Sequence, residues 1–171
     1  MPEALGIDIG RVIIDGDKAR EDTAFFSENY LLTPEMEGAF DAIARLVKER
    51  FRERTYLISK AGPRTQHKTM EWLAYHNFHD ITGTRPGNVH YCLTRVGKAP
   101  LALKLGITHF IDDRAEALSH LSYVPVNHLY LFKPGAGEME ELEKYPTLID
   151  KIRILHGWQE AIEELALKNM Q

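Results

Sequence analysis

Residues 6–15, GIDIGRVIID, decide how the rest of the chain is read. An apolar run ends on Asp8, breaks at Gly10 and resumes before Asp15, so the stretch reads as a buried strand with a carboxylate at its tip, followed by a turn. Including this one, β-type runs cover residues 4–9, 55–59, 88–93, 107–111 and 128–132. Helical patterns fill the intervals. In TPEMEGAFDAIARLVKER, Thr33 is placed to cap a helix with Pro34 at its first position, and Met36, Phe40, Ile43, Leu46 and Val47 recur at helical spacing. PRTQHKTMEWLAYH, GKAPLALKL, RAEALSHL and GWQEAIEELALKNM supply the later helices. Strands that are apolar on both faces and alternate with helices predict an α/β fold with a parallel sheet covered on each side. Residues 10–32 and 133–148 read as irregular, the latter containing KPGAG without the Lys-Ser/Thr of a P-loop.

Composition narrows the function classes. The 171 residues, 44% hydrophobic and 27% charged, suit a single domain with a sizeable core. A net charge of −4 speaks against stable nucleic-acid binding and against attachment to an anionic membrane. Cys92 is the single cysteine, so no intrachain disulfide forms; within NVHYCLT it reads as a buried strand thiol. No basic segment leads into a long apolar run and no segment has the length of a membrane span, so the expected location is cytoplasmic.

In parallel α/β sheets, functional groups gather where strands end and helix N-termini point inward. The first strand ends at Asp8, the second at Ser59, and the fourth at Asp112 and Asp113, with Lys98 on the helix leading into that fourth strand. Carboxylates hold a hard cation while Lys and Ser meet phosphoryl oxygens, so the set reads as a Mg²⁺ and phosphate site.

These residues, in GIDIGRV, YLISK, RVGKAPLALKLGI and HFIDDR, occur in the order of the four motifs of the haloacid dehalogenase-like (HAD) hydrolases, and the chain resembles that superfamily over nearly its whole length, including KIRILHGWQEAIEEL as a closing strand and helix similar to nucleotidase-like members. The resemblance implies a Rossmann-like three-layer sandwich with strand order 5-4-1-2-3 and one HAD-like domain over residues 1–171. It implies Asp8 as the nucleophile of an aspartyl-phosphate mechanism, Ser59 and Lys98 as phosphate-binding residues, and Asp8, the carbonyl of Gly10 and Asp112 as ligands of Mg²⁺, with Asp113 in an outer or positioning role. Substrate size in the family is set by caps. Here only a flap over residues 10–32 fits, with Phe25, Phe26 and Tyr30 either covering the site or packing beneath the flap, or else a second copy of the chain covers it.

The chain departs from the family at Gly10, where the phosphatases carry the aspartate that protonates the leaving oxygen. General acid–base catalysis contributes about 10²–10⁴-fold, so alkyl phosphates should suffer most. Asp15 and Asp17 are either stand-in carboxylates or a solvated Asp-Gly turn. Arg11 either binds substrate anion, pairs with Asp113, or is a surface charge. Two functions therefore compete: a Mg²⁺-dependent phosphohydrolase acting on a small phosphorylated substrate or macromolecule, and a catalytically silent protein that binds a phosphorylated ligand or partner. An actin- or RNase H-like fold is a third reading, and requires antiparallel strands directly after the first. His76 and His79 have a spacing that would suit a metal, but read better as residues at a helix C-terminus, and Trp72 and Trp158 read as core.

Overall fold

The computed structural model describes residues 2–16 and 28–166. Six strands are present: β1 Leu5–Ile7, β2 Thr55–Lys60, β3 Val89–Cys92, β4 His109–Asp112, β5 His128–Phe132 and β6 Ile152–Leu155. They form one sheet in the order β3-β2-β1-β4-β5-β6, and every pairing is parallel. The expected order is thus present, read from the other edge, and differs only in that β6 extends the sheet beyond β5. With β2 and β4 both parallel to β1, the actin- or RNase H-like reading falls away.

The helices are α1 Ala39–Leu46, α2 Pro63–Tyr75, α3 Phe78–Thr82, α4 Lys98–Leu105, α5 Ala115–Leu121, α6 Ala136–Leu142, α7 Pro146–Ile149 and α8 Trp158–Leu165. Strand residues alternate between two cores. Leu57, Ile111, Tyr130 and Phe132 pack with α1, α2, α3 and α8, whereas Ile58, Phe110, Leu129 and Leu131 pack with α4, α5 and the ends of α6 and α7. Three layers result. In the central strand, Gly6 is required by packing: a Cβ there would lie 2.6 Å from the Phe110 ring. No helix among the described residues is long and apolar enough to cross a membrane.

Two sequence expectations need correction. The helix predicted from Pro34 begins at Ala39, after Gly38 at φ 76°. The intervening backbone is taken by the turn after β1: Asp15 N–H donates to Pro34 O at 2.9 Å, Met36 N–H donates to Ile13 O at 2.7 Å, and Ile14 bridges Glu35 in antiparallel fashion. Glu35 then accepts the Phe40 N–H at 3.0 Å, so this glutamate caps the helix and Thr33 does not. Residues 133–148, expected to be irregular, contain α6 and all but the last residue of α7. Of the residues of α6 only Leu142 is buried, so this helix carries no apolar period to be read.

The turn after β1 is held at both ends by buried tryptophans. Trp158 Nε1 donates to Val12 O at 2.8 Å and Trp72 Nε1 to Thr33 O at 2.9 Å, which adds a fixed hydrogen bond to the packing role expected of each. Of the residues assigned to a flap, Asp17, Phe25 and Phe26 lie outside the described residues. Tyr30 is described, and its hydroxyl donates to Glu71 on α2 while Lys68 lies over its ring. His76 and His79 are separately engaged. His76 Nε2 lies 2.7 Å from Leu31 O, and His79 Nδ1 lies 3.1 Å from both oxygens of Thr84.

Candidate active site

From β1 the chain moves outward to β2 and β3, then returns to the other side of β1 as β4. That reversal opens a crevice beyond the carboxyl ends of β1 and β4, where open α/β sheets bind ligands. Ile7 is paired with Ile111, so Asp8 and Asp112, one residue further on, stand level across the two strands. The Asp8 N–H donates to Ile111 O at 2.9 Å and prolongs the ladder under the site.

Lys98, at the first turn of α4, reaches between them. Its Nζ donates to Asp8 Oδ1 at 3.0 Å and to Asp112 Oδ2 at 2.7 Å. All three side chains are at least nine-tenths buried. Burial by itself lowers the pKa of the amine, yet the charges of Asp112 and Asp8 outweigh it and raise the Lys98 pKa above its ordinary value. Asp112 is oriented from its other oxygen, which accepts the Arg114 N–H at 3.0 Å. Burial lifts Asp112 to about 6 against the pull of Lys98.

Asp113 completes the cluster. Carboxylate oxygens of Asp8, Asp112 and Asp113 lie within 4.8 Å of one another. Burial first, and then the charges of Asp8 and Asp112, push Asp113 up to about 9, so it holds its proton at neutral pH. Arg114 lies 3.7 Å from Asp113 but is shared with Glu138, so Lys98 and Arg114 together leave the cluster short of positive charge. Three hard oxygen donors at this spacing suit a divalent cation of the Mg²⁺ or Ca²⁺ type and are poorly suited to soft metals.

Ser59, near the end of β2, is buried and lines a cavity of about 530 Å³ together with Asp8, Gly10, Lys98 and Asp113. The sequence-predicted residues Asp8, Ser59, Lys98, Asp112 and Asp113 thus meet at one crevice. Cys92 approaches it only through a 3.7 Å contact from Sγ to Ser59 O, and burial raises its thiol pKa, which agrees with a packing role.

Gly10 faces this cavity with empty space where a side chain would go. A Cβ built there meets nothing within 4 Å, and the residue does not have a left-handed φ. The left-handed residue is its neighbour Arg11, at φ 63°, an arrangement that typically costs a non-glycine residue about 1–2 kcal/mol. Arg11 lines both this cavity and a larger one of about 730 Å³, and Asp113, Arg95 and Arg114 are also shared. Asp15 lines the larger cavity. It is only 2% exposed, so the solvated-turn alternative does not describe it.

Sequence reasoning missed the wall of the larger cavity. Arg95 pairs with Glu116 at 2.6 Å, Arg114 meets Glu138 at 3.4 Å, and Glu138 also accepts the Ala115 N–H at 2.7 Å. Pairings between separate loops leave no local trace. Lys133 is different: it directly follows β5, and the strand-end rule that found Asp8 and Asp112 would have found it had it been extended to the fifth strand. No protein-family model matches the chain, and no curated protein matches it at a significant level.

Proposed function

We propose that the protein is a Mg²⁺-dependent phosphohydrolase of the HAD type, acting on a phosphorylated substrate through an aspartyl-phosphate on Asp8. The observation that carries this reading is the Lys98 ammonium held between Asp8 and Asp112 at the crevice of the sheet. In this scheme an Asp8 oxygen attacks phosphorus as the bond from phosphorus to the leaving oxygen breaks and that oxygen departs as an anion; water then hydrolyses the acyl phosphate, releasing phosphate and returning the Asp8 carboxylate. Lys98 keeps Asp8 ionised and aligned, and with Ser59 binds phosphoryl oxygens. Asp8, Asp112 and the Gly10 carbonyl would hold the cation, with Asp113 beside them; when bound, it supplies positive charge against the phosphoryl oxygens.

With no carboxylate at residue 10, departing alkoxides lack the proton donor that the resemblance places there. Aryl and acyl phosphates, whose leaving oxygens are stable anions, are therefore the preferred substrates. The test is a panel of phosphate esters with Mg²⁺ present, run on the wild type and on Asp8→Asn. Aryl phosphate turnover that disappears in the variant, together with a Mg²⁺ calorimetric signal lost in both Asp8→Asn and Asp112→Asn, is the expected result. Turnover that survives Asp8→Asn removes the nucleophile assignment. A nucleoside monophosphate outrunning every aryl phosphate would assign the proton to another group, with buried Asp15 the first to replace.

The empty space over Gly10 favours a second reading, a phosphate-binding protein without turnover. Mg²⁺-dependent binding of aryl phosphates with none of them hydrolysed would put that reading first.

A further inference from the structure

The larger cavity extends from the carboxylate cluster along the carboxyl ends of β4 and β5, and its cations are Arg11, Arg95, Arg114 and Lys133. Arg95 is engaged by Glu116, Arg114 by Glu138, and Arg11 also has a partner. Lys133 stands apart. Among the described residues its Nζ meets no carboxylate, only Met36 Sδ at 3.7 Å. A thioether sulfur is a weak acceptor, so the ammonium keeps its capacity to donate. Met36 is 4% exposed and lines the same cavity, and Lys133 itself is exposed at the cavity's rim, where an incoming ligand can reach its amine.

The backbone of Lys133 is equally particular. Its φ is 45°, in the left-handed region that a lysine rarely adopts. The conformation is held from both sides: Phe132 is buried in the core, and the Lys133 N–H donates to Leu155 O at 2.7 Å. Of the four non-glycine residues with positive φ among the described residues, two, Arg11 and Lys133, are cations on this one cavity. Such outliers persist where the surrounding structure enforces them, and they concentrate at ligand sites.

We infer that Lys133 is a specificity residue that binds a second anionic group, carboxylate or phosphate, on a substrate whose phosphoryl group sits at Asp8. The inference rests on the phosphohydrolase reading for the position of the phosphoryl group. The substrate class is then a phosphomonoester with an anionic leaving group long enough to pass from the smaller cavity into the larger. Neutral alcohols leave the Lys133 ammonium without a partner.

The test measures binding, so it does not depend on turnover. With Mg²⁺ present, affinities are measured by calorimetry for alkylphosphonates, for ω-carboxyalkylphosphonates over two to five methylenes, and for the matching α,ω-bisphosphonates. At one or more chain lengths the second anion should tighten binding about tenfold, the size of one charge-assisted contact. The carboxylate and bisphosphonate series separate the two kinds of anion. In Lys133→Met the ratio of charged to uncharged ligand should fall to about one, and Lys133→Arg should restore it. Lys133→Gly, whose backbone suits φ 45°, should lose the preference in the same way and serves if the methionine variant folds poorly. Equal affinities at every length in the wild type overturn the subsite alone, as does a preference that survives both Lys133→Met and Lys133→Gly. Failure of every phosphonate to bind overturns the subsite and the phosphoryl site together.

Discussion

Charged and polar side chains cluster at both ends of the β1–β4 pair, and the two ends are built to different rules. At the N-terminal end Arg50 donates from Nε and Nη2 to the two oxygens of Glu3 at 2.7 Å, and from Nη1 to Leu165 O at 2.5 Å. Its Nη2 also lies 3.3 Å from His109 Nε2. Since arginine only donates, His109 accepts there and carries its proton on Nδ1, 2.8 Å from Thr108 Oγ1. The Thr108 hydroxyl in turn donates to Ala4 O at 3.0 Å. The hydrogen bond from Arg50 holds Glu3 below the usual carboxylate range. At the C-terminal end Lys98 serves Asp8 and Asp112, Asp113 has as its cation only the Arg114 guanidinium at 3.7 Å, which it shares with Glu138, and two cavities adjoin them. In the first network each group is met by a partner. The second keeps unspent negative charge beside open space, which is what a site for a cation and an anionic substrate requires.

The largest expected effect comes from filling the gap at the open end. Gly10→Asp introduces a carboxylate where nothing obstructs a Cβ and the backbone accepts any residue. Hydrolysis of alkyl phosphates should rise by up to about 10²–10⁴-fold. Arg11→Gly in the same chain removes a cation able to pull the new carboxylate aside, and also relieves the left-handed backbone at that position. If both variants fold, bind Mg²⁺ and still leave alkyl phosphates intact, the open end lacks more than an acid, and the silent binding protein becomes the better account.

Removing the central cation from each end should separate them further. Without metal, Lys98→Met leaves Asp8 and Asp112 buried together and should cost about 3–5 kcal/mol of stability. Arg50→Met leaves Glu3, whose side chain is 41% exposed, free to be solvated, so about 1–3 kcal/mol is expected. Denaturant titration gives both values. Added Mg²⁺ should recover part of the loss in Lys98→Met beyond its effect on the wild type, and should give Arg50→Met no such extra gain. An equal response in the two variants would erase the distinction between a closed network and an open one.

The smallest effect is a pH slope. Asp113, raised to about 9, binds a proton in the fold that the unfolded chain releases near pH 4, so stability without metal falls as pH rises through that interval. Asp112, raised to about 6, adds to the fall only in its lower part. His79 and His90, lowered by burial, act at and below the ordinary histidine range, and Cys92, raised by burial, acts above the ordinary thiol range. Between pH 7 and 8.5 the slope therefore belongs to Asp113 and amounts to about 2 kcal/mol at most. Saturating Mg²⁺ should flatten or reverse it, because cation binding displaces the proton. Thermal melts at fixed ionic strength would detect this, and a metal-free slope of zero would place Asp113 outside the coupled cluster.

Much of the candidate site was legible because each residue is tied to a local signal. Asp8 ends an apolar run, Asp112 and Asp113 end another, and Lys98 opens a helix, so the strand-end rule names them without knowledge of any contact. Asp15 was not legible in this way. Its Asp-Gly context is that of a solvated turn, and only the pairing of residues 13–15 with residues 34–36 buries it. The start of α1 was misplaced for the same reason: Thr33-Pro34 is a sound local signal for a helix start, but the backbone groups it would use are taken by a segment some twenty residues away.

By itself, then, the sequence determined which groups stand at the carboxyl edge of a parallel sheet, because a strand's apolar period and its terminating residue are written locally. Only the tertiary structure decided how those groups share charge. Whether Lys98 bridges Asp8 and Asp112, whether Asp113 holds a proton, and whether Lys133 lacks a carboxylate while Arg95 and Arg114 have one depends on distances between loops far apart in the chain. Electrostatic energies vary with separation and burial, and neither quantity exists until the sheet has brought its strand ends together.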